Sequence, residues 1–250
     1  MNIQEASIAT GISKDMIRFY EKKGLLHPSR NPENHYRDYS MGDIHILVTI
    51  KFYNSLGITL TEIGKILKNG NIPLAIEAFN TQLEYLKEEA FWAETKYRLA
   101  SDTYHLLQKY NHGIDYDIGI HPTQYFYPTF DVQKSNTPKN QNKILVSRLV
   151  FRIQENNKNK QNYPQDTGLL LNKQNKNIKG NYQVIEKHKF YRIIKEVKTN
   201  ELISLDELQQ LENRIQKEGF KTYGDIYIYS IFHNVPDNTS ETICIEFMIQ

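Results

Sequence analysis

The sequence predicts an α-helical N-terminal part, then one long helix, and then an α+β part. Three observations lead to this prediction. Helix-capping residues and stop glycines are dense before Ile76, and an unbroken heptad pattern of apolar residues runs from Ile76 to Leu107. After Gly113 the pattern changes to runs of β-branched and aromatic residues, which are typical of strands.

The composition limits the classes of protein to consider. The 250 residues suffice for one large domain or two small domains, each with its own core. A single cysteine, Cys244, excludes an internal disulfide and a tetrahedral thiolate metal site. The first residues lack the pattern of a signal peptide, and no apolar run reaches the ~18 residues of a membrane span. We therefore expect a soluble, cytoplasmic protein without a metal or a cofactor.

Two short helices joined by a turn are predicted at the N-terminus. The segment IQEASIAT forms the first helix, and the residues from Gly11 to Ser13 form the turn. Ser13 then caps a helix of about ten residues that ends near Gly24. This is the helix-turn-helix pattern, in which the second helix is placed to enter the major groove of DNA.

A loop or small hairpin, the wing, is predicted to follow these helices. Pro28 and Pro32 prevent a helix in this segment, and Asn34 suits a turn. Tyr36 and Arg37 come directly after that turn. The wing therefore presents one aromatic and one basic side chain.

Two further capped helices are predicted after the wing. Ser40 and Asp43 form a capping box with Asp in place of Glu, before a helix that ends at Gly57. Thr59 and Glu62 form a second capping box before a short helix. Together with the first two helices, they complete the predicted N-terminal domain.

The heptad pattern identifies a surface for pairing with a second copy of the chain. Its positions step by three and four residues without a break, as in a coiled coil. They are Ile76, Phe79, Leu83, Leu86, Ala90, Ala93, Tyr97, Ala100, Tyr104 and Leu107. A helix of roughly 50 Å, at 1.5 Å per residue, is too long for the core of a small domain. Antiparallel pairing would place alanines at the crossing, and the alternative is a core helix of a single bundle.

The C-terminal part contains strand-like runs and one helix. The runs are QYFYPTFDV, KILVSRLVFRIQ, NYQVIEKHKFYRIIKEV, GDIYIYSIF and TICIEFMIQ. Ser204 with Glu207 begins the helix LDELQQLENRIQKEG. The polar tracts QENNKNKQN and LNKQNKN are expected to be exposed hairpin loops. These features predict an α+β domain of about 130 residues.

The N-terminal motifs together resemble the DNA-binding domain of the MerR family of transcription regulators. The segments ATGISKDMIRFYEKKGLL, NHYRDYSMGDIHIL and FYNSLGITLTEIGKIL carry this resemblance. It implies a homodimer with an antiparallel coiled coil, whose two wings straddle a promoter and whose binding distorts the DNA for RNA polymerase. The implied parts are a winged helix-turn-helix domain (1–72), a coiled-coil dimerisation helix (73–112) and an effector-binding domain (118–250).

The resemblance also implies which residues contact DNA. Arg18 is placed to reach a base edge or a phosphate, whereas Tyr20 offers its hydroxyl to a phosphate or packs between helices. Phe19 stands where the multidrug sensors of the family carry a tyrosine, so one phosphate contact is expected to be missing. The predicted DNA-binding residues are Lys14, Arg18, Phe19, Tyr20, Tyr36 and Arg37.

The C-terminal residues resemble the GyrI-like effector domain that some MerR relatives use to bind bulky aromatic drugs, many of them cationic. The architecture and the closing segments GDIYIYSIFH and TICIEFMI carry this resemblance. In that branch an acidic residue after a Val-Tyr or Ile-Tyr pair neutralises a buried cation. Ile228 stands at the matching position here, so a neutral or differently charged ligand stays open.

Two carboxylates are candidates to replace the missing acid. Glu246 either faces solvent or lines a pocket from the last strand, and Glu241 lies just before that strand. A buried carboxylate would pair with a ligand cation, and tyrosine rings would add cation–π attraction. The predicted ligand-binding residues are Tyr125, Tyr127, Tyr182, Tyr191, Tyr227, Ile228, Tyr229, Glu241 and Glu246.

The sequence carries no motif that indicates an enzyme. Eight histidines are scattered without paired spacing, and glycine-rich phosphate loops are absent. We therefore expect a dimeric, ligand-responsive transcription regulator whose partners are promoter DNA, RNA polymerase and a small-molecule effector. Two alternatives stay open. The C-terminal domain binds a protein partner, or it is a weak GyrI-like hydrolase with an autoregulatory DNA-binding domain.

Overall fold

A computed structural model gives the fold of the chain. It describes residues 1–128, 149–157, 165–176, 178, 180–198, 203–233 and 240–250. The chain divides into two compact units, Met1–Ala90 and Phe91–Gln250. Within the described ranges, none of the helices combines the length and the apolarity needed to span a lipid bilayer.

The first unit contains short helices and a two-stranded hairpin. Its elements are α1 (Ile3–Thr10), α2 (Lys14–Lys22), β1 (Ser29–Arg30), β2 (Arg37–Asp38), α3 (Met41–Ser55) and α4 (Leu60–Asn69). β1 and β2 pair antiparallel, so the wing is a hairpin. A long helix, α5 (Ile72–Asn111), begins in this unit and ends in the second.

The helix starts predicted from the sequence are confirmed. Ser13, Ser40 and Thr59 each accept a hydrogen bond from the backbone N–H three residues further on, and the last two complete capping boxes. Gly11 ends α1 with a φ of 62°, a conformation that strains other residues. This left-handed residue makes the tight turn from α1 into α2 possible.

One hydrophobic core joins the helices of the first unit. Ile17 of α2, Leu47 of α3 and Ile63 of α4 are fully buried in it. The first turns of α5 join the same core through Phe79, whose ring meets Tyr53 edge to face with 5.0 Å between centroids. The core therefore fixes α2, the predicted DNA-reading helix, against the other helices.

Among the described residues, the second unit forms an eight-stranded antiparallel sheet. After the end of α5 its elements are β3 (Tyr116–His121), β4 (Gln124–Pro128), β5 (Leu149–Ile153), a 3-10 turn (Glu155–Asn157), β6 (Gln165–Leu171), β7 (Gln183–Ile185), β8 (His188–Lys198), α6 (Leu205–Lys217), β9 (Thr222–His233) and β10 (Ser240–Ile249). The strand order is β3-β8-β10-β9-β5-β6-β4-β7. β8, β9 and β10 are the longest strands and lie side by side.

The strands differ from the prediction in two respects. β3 and β6 are absent from it, because Gly119 and Gly168 interrupt their apolar patterns. The run NYQVIEKHKFYRIIKEV contains two strands, β7 and β8, with a polar pair between them. Residues 129–132 and 143–148 of two other predicted runs lie outside the described residues.

The pleat gives the sheet two faces with different coverings. The helix face, which includes Ile245, packs against α6 through Leu208. The opposite face includes Cys244 and packs against the C-terminal part of α5 through Leu106. It is called the cavity face, because a cavity described below lies on it. Because neighbouring residues of a strand point to opposite faces, these two clusters assign each residue of the central strands to one face.

Gly168 leaves no space for a side chain in β6. A Cβ at this position would meet a ring carbon of Phe126 at 2.6 Å and the backbone carbonyl of Tyr127 even more closely. Gly168→Ala should therefore lower the free energy of unfolding of the second unit by about 1–3 kcal/mol. Denaturation followed by the fluorescence of Trp92, the single tryptophan of the chain, measures the effect. An unchanged midpoint would show that the strands adjust without strain.

Candidate functional site

The exposed face of α2 carries three of the predicted DNA-binding residues. Lys14, Arg18 and Phe19 are all exposed. Arg18 forms a surface ion pair with Asp15, with 3.1 Å between Nη1 and Oδ1. Such exposed pairs contribute little in water, so Arg18 can exchange Asp15 for another anion.

Tyr20 is enclosed in the first unit, unlike the other predicted DNA-binding residues of α2. Its side chain is only 5% exposed and belongs to the core of the first unit, where burial raises the pKa of its hydroxyl. Position 20 lies on the same face of α2 as the fully buried Ile17, three residues earlier. Of the two alternatives for Tyr20, the structure therefore favours packing between helices over a phosphate contact.

A single carboxylate connects the wing to α2. The Nε of Arg37 donates a hydrogen bond to Oε2 of Glu21 at 2.5 Å, and the hydroxyl of the buried Tyr39 donates to Oε1 of the same residue. The hydrogen bond with Glu21 raises the pKa of Arg37. Tyr36, which is 74% exposed, precedes Arg37 in the hairpin. Glu21 therefore sets the position of the wing relative to the helix that carries Arg18.

The arrangement of the wing and α2 suits contact with a nucleic acid duplex. Arg18 extends from a helix, and Tyr36 and Arg37 extend from a hairpin tied to that helix. A helix can enter the major groove, while donors on a neighbouring loop hold the phosphate backbone and fix the register. The geometry can thus support two-point contact with DNA.

The second unit contains a cavity of about 440 Å³ on the cavity face of the sheet. α5 and strands from both halves of the sheet line it. Its apolar wall includes Leu99, Ile120, Val150 and Leu170. This volume lies within the range of small-molecule binding sites in proteins. The cavity is therefore a candidate effector site of the second unit.

Arg192 lies at the centre of the charged groups of this cavity. Its side chain is almost fully buried, and its Nε donates to Oε2 of Glu246 at 2.8 Å. Its Nη1 donates to Oδ1 of Asp102 at 2.6 Å and lies 3.6 Å from Oδ2 of Asp117. The guanidinium carbon is 4.3 Å from the ring centroid of Phe190. One buried cation is thus surrounded by three carboxylates and an aromatic ring.

Glu246 is enclosed in the protein and lines the cavity, which excludes the solvent-facing alternative. Its side chain is 1% exposed, and its Oε2 lies 2.8 Å from Nε of Arg192 and 3.0 Å from Nε2 of His121. Burial favours the neutral form, but the interactions with His121 and Arg192 outweigh it and hold the pKa of Glu246 well below its usual range. Glu246 is therefore a buried carboxylate whose charge the protein itself neutralises.

A second histidine lies beside this cluster. His188 is buried, its Nδ1 lies 2.9 Å from the backbone oxygen of Glu186, and its ring centroid is 5.5 Å from that of His121. Burial lowers the pKa of His188. Its neutral form is therefore favoured in the folded chain.

His188 should make the second unit sensitive to acid. Because its folded pKa lies below the unfolded value of about 6.5, the unfolded chain takes up a proton that the folded chain does not. The free energy of unfolding should therefore fall as the pH drops below about 6.5, until the folded pKa is passed. His188→Gln should reduce this loss between about pH 7.5 and 5.5, measured by denaturation with Trp92 fluorescence. The exposed His45→Gln is the control, and an unchanged slope in His188→Gln would contradict this origin.

Two predicted ligand-binding residues lie on the helix face of the sheet. Ile228 and Tyr191 both belong to the core beneath α6. The hydroxyl of Tyr191 donates to Oε2 of Glu218 at 2.8 Å, on the same side. Since the cavity lies across the sheet, the assignment of Ile228 and Tyr191 to a ligand site is corrected.

Three other predicted tyrosines form an aromatic cluster of their own. The ring centroid of Tyr182 lies 5.6 Å from that of Tyr125 and 5.4 Å from that of Tyr127. Tyr127 is buried against Trp92, and its hydroxyl accepts a hydrogen bond from the backbone N–H of Asn175. In the described part of the chain, none of the three lines the 440 Å³ cavity.

The remaining predicted ligand residues lie in three places. Tyr229 lines the cavity together with Glu246. Tyr227 shares their face of the sheet but is buried in the core, which raises the pKa of its hydroxyl. Glu241 lies at the other end of β10, 3.6 Å from Nδ1 of His233, and borders a different cavity. Glu241 therefore lies outside the 440 Å³ cavity, whereas Glu246 and Tyr229 are the predicted residues that meet in it.

The sequence prediction missed most of the polar groups of the cavity. They include Arg98, Asp102, Asp117, His121 and Arg192. A signal existed for Arg192, because a charged residue inside an apolar strand needs a buried partner. No such signal marks Arg98 or Asp102, since charged residues are frequent along the whole of α5. Within the described residues, no group of three or more His, Cys, Asp or Glu side chains is arranged to hold a metal ion.

Arg192 and Glu246 should depend on each other for stability. Arg192→Met leaves the carboxylate of Glu246 buried without its guanidinium, and should lower the free energy of unfolding by about 3–5 kcal/mol. The double variant Arg192→Met/Glu246→Gln removes that charge and should lose less than Arg192→Met alone. Denaturation of the second unit, followed by Trp92 fluorescence, compares the variants. Losses that simply add would contradict the coupling.

The heptad stripe of α5 is exposed over most of its length. Its exposed members are Ile76, Leu83, Leu86, Ala90, Ala93, Tyr97, Ala100 and Tyr104. Phe79 and Leu107 are half-buried within their own units. The described part of a single chain thus leaves an apolar stripe in contact with water, which costs free energy unless a partner covers it.

Comparisons with known proteins place similarity in the N-terminal residues. Residues 1–70 match the model of the MerR HTH family regulatory protein. An uncharacterized HTH-type transcriptional regulator of Pseudomonas aeruginosa is 42% identical over 67 residues, which cover 27% of this chain and 51% of that protein. Heavy metal-dependent transcription regulator 2 of Rhizobium meliloti is 40% identical over 67 residues, which cover 27% of this chain and 46% of that protein. The chain spans about half the length of the curated relatives it matches.

A solved structure aligns with the full length of the chain. It is the cryo-EM structure of an EcmrR–DNA complex, with 19% sequence identity and a TM-score of 0.37. The similarity covers 100% of this chain and 99% of that chain.

Proposed function

We propose that the protein is a dimeric transcription regulator that binds promoter DNA through residues 1–72 and responds to a small molecule in its second unit. The observation that carries this proposal is the match of residues 1–70 to the MerR helix-turn-helix model. The exposed Arg18, Tyr36 and Arg37 support it, because they supply donors from a helix and a wing.

The mode of DNA binding in this proposal depends on shape. Residues 1–72 contain nine Lys and Arg against seven Asp and Glu, so general attraction to phosphates is weak. Two copies bound to the two halves of a promoter would supply affinity, and distortion of the DNA between them would supply specificity. RNA polymerase would then use the distorted promoter, which makes the protein an activator.

The dimer in this proposal forms through α5. A second copy covers the exposed stripe by antiparallel pairing, which places the alanines Ala90 and Ala93 near the crossing. The small side chains allow the two helices to approach closely, while larger residues such as Leu83 and Tyr104 fill the flanking layers.

The effector in this proposal binds in the 440 Å³ cavity of a GyrI-like domain. Arg98 and Asp102 of α5 line the cavity, whereas Tyr97 and Tyr104 of the same helical segment belong to the exposed stripe. A ligand that contacts one side of this segment can thus change how the other side meets a partner. For a response, the ligand must favour one arrangement of the dimer by about 1–3 kcal/mol.

Arg37 should contribute to DNA binding in a way that depends on salt. Arg37→Ala should weaken binding to all sequences and reduce the slope of log affinity against log salt by about one unit if Arg37 contacts a phosphate. Fluorescence anisotropy with promoter fragments selected by the purified protein gives the affinity at several salt concentrations.

Glu21→Gln is the matched control for this measurement. It removes the same ion pair but keeps the guanidinium of Arg37. Glu21→Gln should therefore leave the salt slope unchanged even if the wing is less well positioned. Equal slopes in wild type, Arg37→Ala and Glu21→Gln would show that Arg37 does not contact a phosphate.

Leu83→Asp should break the dimer. The substitution places a charge within the stripe, where antiparallel pairing would bury it without a partner. Thr81→Asp adds the same charge at an exposed position outside the stripe and should stay dimeric. Analytical ultracentrifugation distinguishes the two forms, and a dimeric Leu83→Asp would contradict pairing through this face of α5.

A further inference from the structure

The cavity of the second unit contains its own cation. Arg192 donates hydrogen bonds to Glu246 and Asp102, and its guanidinium carbon lies 4.3 Å from the centroid of Phe190 and 6.0 Å from that of Tyr229. A cationic ligand gains affinity from an unpaired carboxylate and from an open aromatic face. In this cavity Arg192 already binds the carboxylates and lies over the aromatic rings. A second cation would therefore have to displace Arg192 or compete with it.

The other acidic groups of the cavity are also engaged. Asp117 accepts a hydrogen bond from Nζ of Lys109 at 2.5 Å, in addition to its proximity to Arg192. Oε1 of Glu246 has no hydrogen-bond partner among the described residues, but this atom is buried and presents no surface to a ligand. Each carboxylate that lines the cavity is therefore neutralised within the protein or closed off from the ligand.

Arg98 is in the opposite situation. It lines the cavity from α5 and is half-buried, and no hydrogen bond or ion pair connects it to another residue that the structure describes. The carboxylates one turn before and one turn after it, Glu94 and Asp102, are bound by Lys173 at 2.7 Å and Arg192 at 2.6 Å. Burial lowers the pKa of Arg98, although a guanidinium keeps its charge at neutral pH.

Glu94 and Asp102 attract Arg98 through space, but both carboxylates are already bound by other cations. They therefore offset the burial of its guanidinium only in part, and an anion in the cavity would relieve the remaining cost. The five N–H donors of a guanidinium match the oxygens of a carboxylate or a phosphate in pairs. The apolar wall formed by Leu99, Val150 and Leu170 lies in the same cavity and suits the hydrocarbon part of a ligand. Charge and apolar surface thus favour an amphipathic anion.

We propose that the effector is an organic anion whose acidic group binds Arg98 and whose apolar part packs on the cavity wall. This inference rests on the proposed function, and it replaces the expected cationic drug with a ligand of opposite charge. Arg192 fills the place of a ligand cation, and Arg98 recognises the anion.

The test uses four ligands that share one ring system and differ in charge. Isothermal titration of the full chain with 1-naphthoate, 1-naphthyl phosphate, 1-naphthol and 1-naphthylmethylammonium compares two anions, a neutral compound and a cation. We expect at least one anion to bind about tenfold more tightly than the cation, which corresponds to about 1.4 kcal/mol. The two anions distinguish recognition of a carboxylate from recognition of a phosphate.

Arg98→Gln tests the assigned residue. It should weaken binding of the preferred anion about tenfold and change the affinity for 1-naphthol less than about twofold. Lys217→Gln removes one positive charge from an exposed position of α6, on the other side of the sheet, and should leave both affinities unchanged. Trp92 fluorescence checks that both variants fold.

Three outcomes overturn the inference. They are tighter binding of the cation than of either anion, an unchanged anion affinity in Arg98→Gln, and no binding of either anion. DNA binding by the same samples without ligand tests the proposed function separately. If the wild-type chain binds DNA but neither anion binds to it, only the ligand class is wrong. A wild-type chain that does not bind DNA would contradict the proposed function as a regulator.

Discussion

The structure of the second unit depends on the burial of one guanidinium. Arg192 is only 4% exposed, and a charge so enclosed is tolerated only when opposite charges surround it. β10 supplies Glu246, α5 supplies Asp102 and β3 supplies Asp117. The need to neutralise Arg192 therefore fixes a helix and two strands around one point, and these elements form the polar wall of the cavity. Because these carboxylates are paired with Arg192, they are not available to a cationic ligand.

The first unit uses a carboxylate in a related way, with a different exposure. Glu21 holds Arg37 and Tyr39 and so connects the wing to α2. Arg37 is partly exposed there, so a phosphate can reach its guanidinium, whereas Arg192 is closed to solvent. An exposed pair can be exchanged for a ligand, but a buried pair is part of the permanent structure. This difference separates the basic groups that can bind partners from those that support the fold.

In the proposed regulator, helix α5 connects ligand binding with dimer formation, because it contributes to both the cavity and the exposed stripe. Around its C-terminal turns, Arg98 and Asp102 point to the cavity side and Tyr97 and Tyr104 belong to the exposed stripe. A change in the charge balance at Arg98 thus acts on a helix whose other side is available for a partner. Since a packed helix moves as a unit, small displacements on the cavity side need not stay local. The coupling requires only that the ligand prefers one helix position.

Local sequence determined the helices, their caps, the wing and the heptad stripe, because capping and periodicity involve residues a few positions apart. Glycines interrupt the apolar patterns of β3 and β6, so the sequence did not predict these strands. It also did not show which face of a strand meets the cavity, and Tyr191 and Ile228 lie on the opposite face. Arg192 meets partners 54 and 90 positions away, and only the tertiary fold decides such pairs. The sequence thus determined a helix-turn-helix domain with a wing and an apolar heptad stripe. The fold decided the charge of the cavity, because buried charges select partners by distance in space.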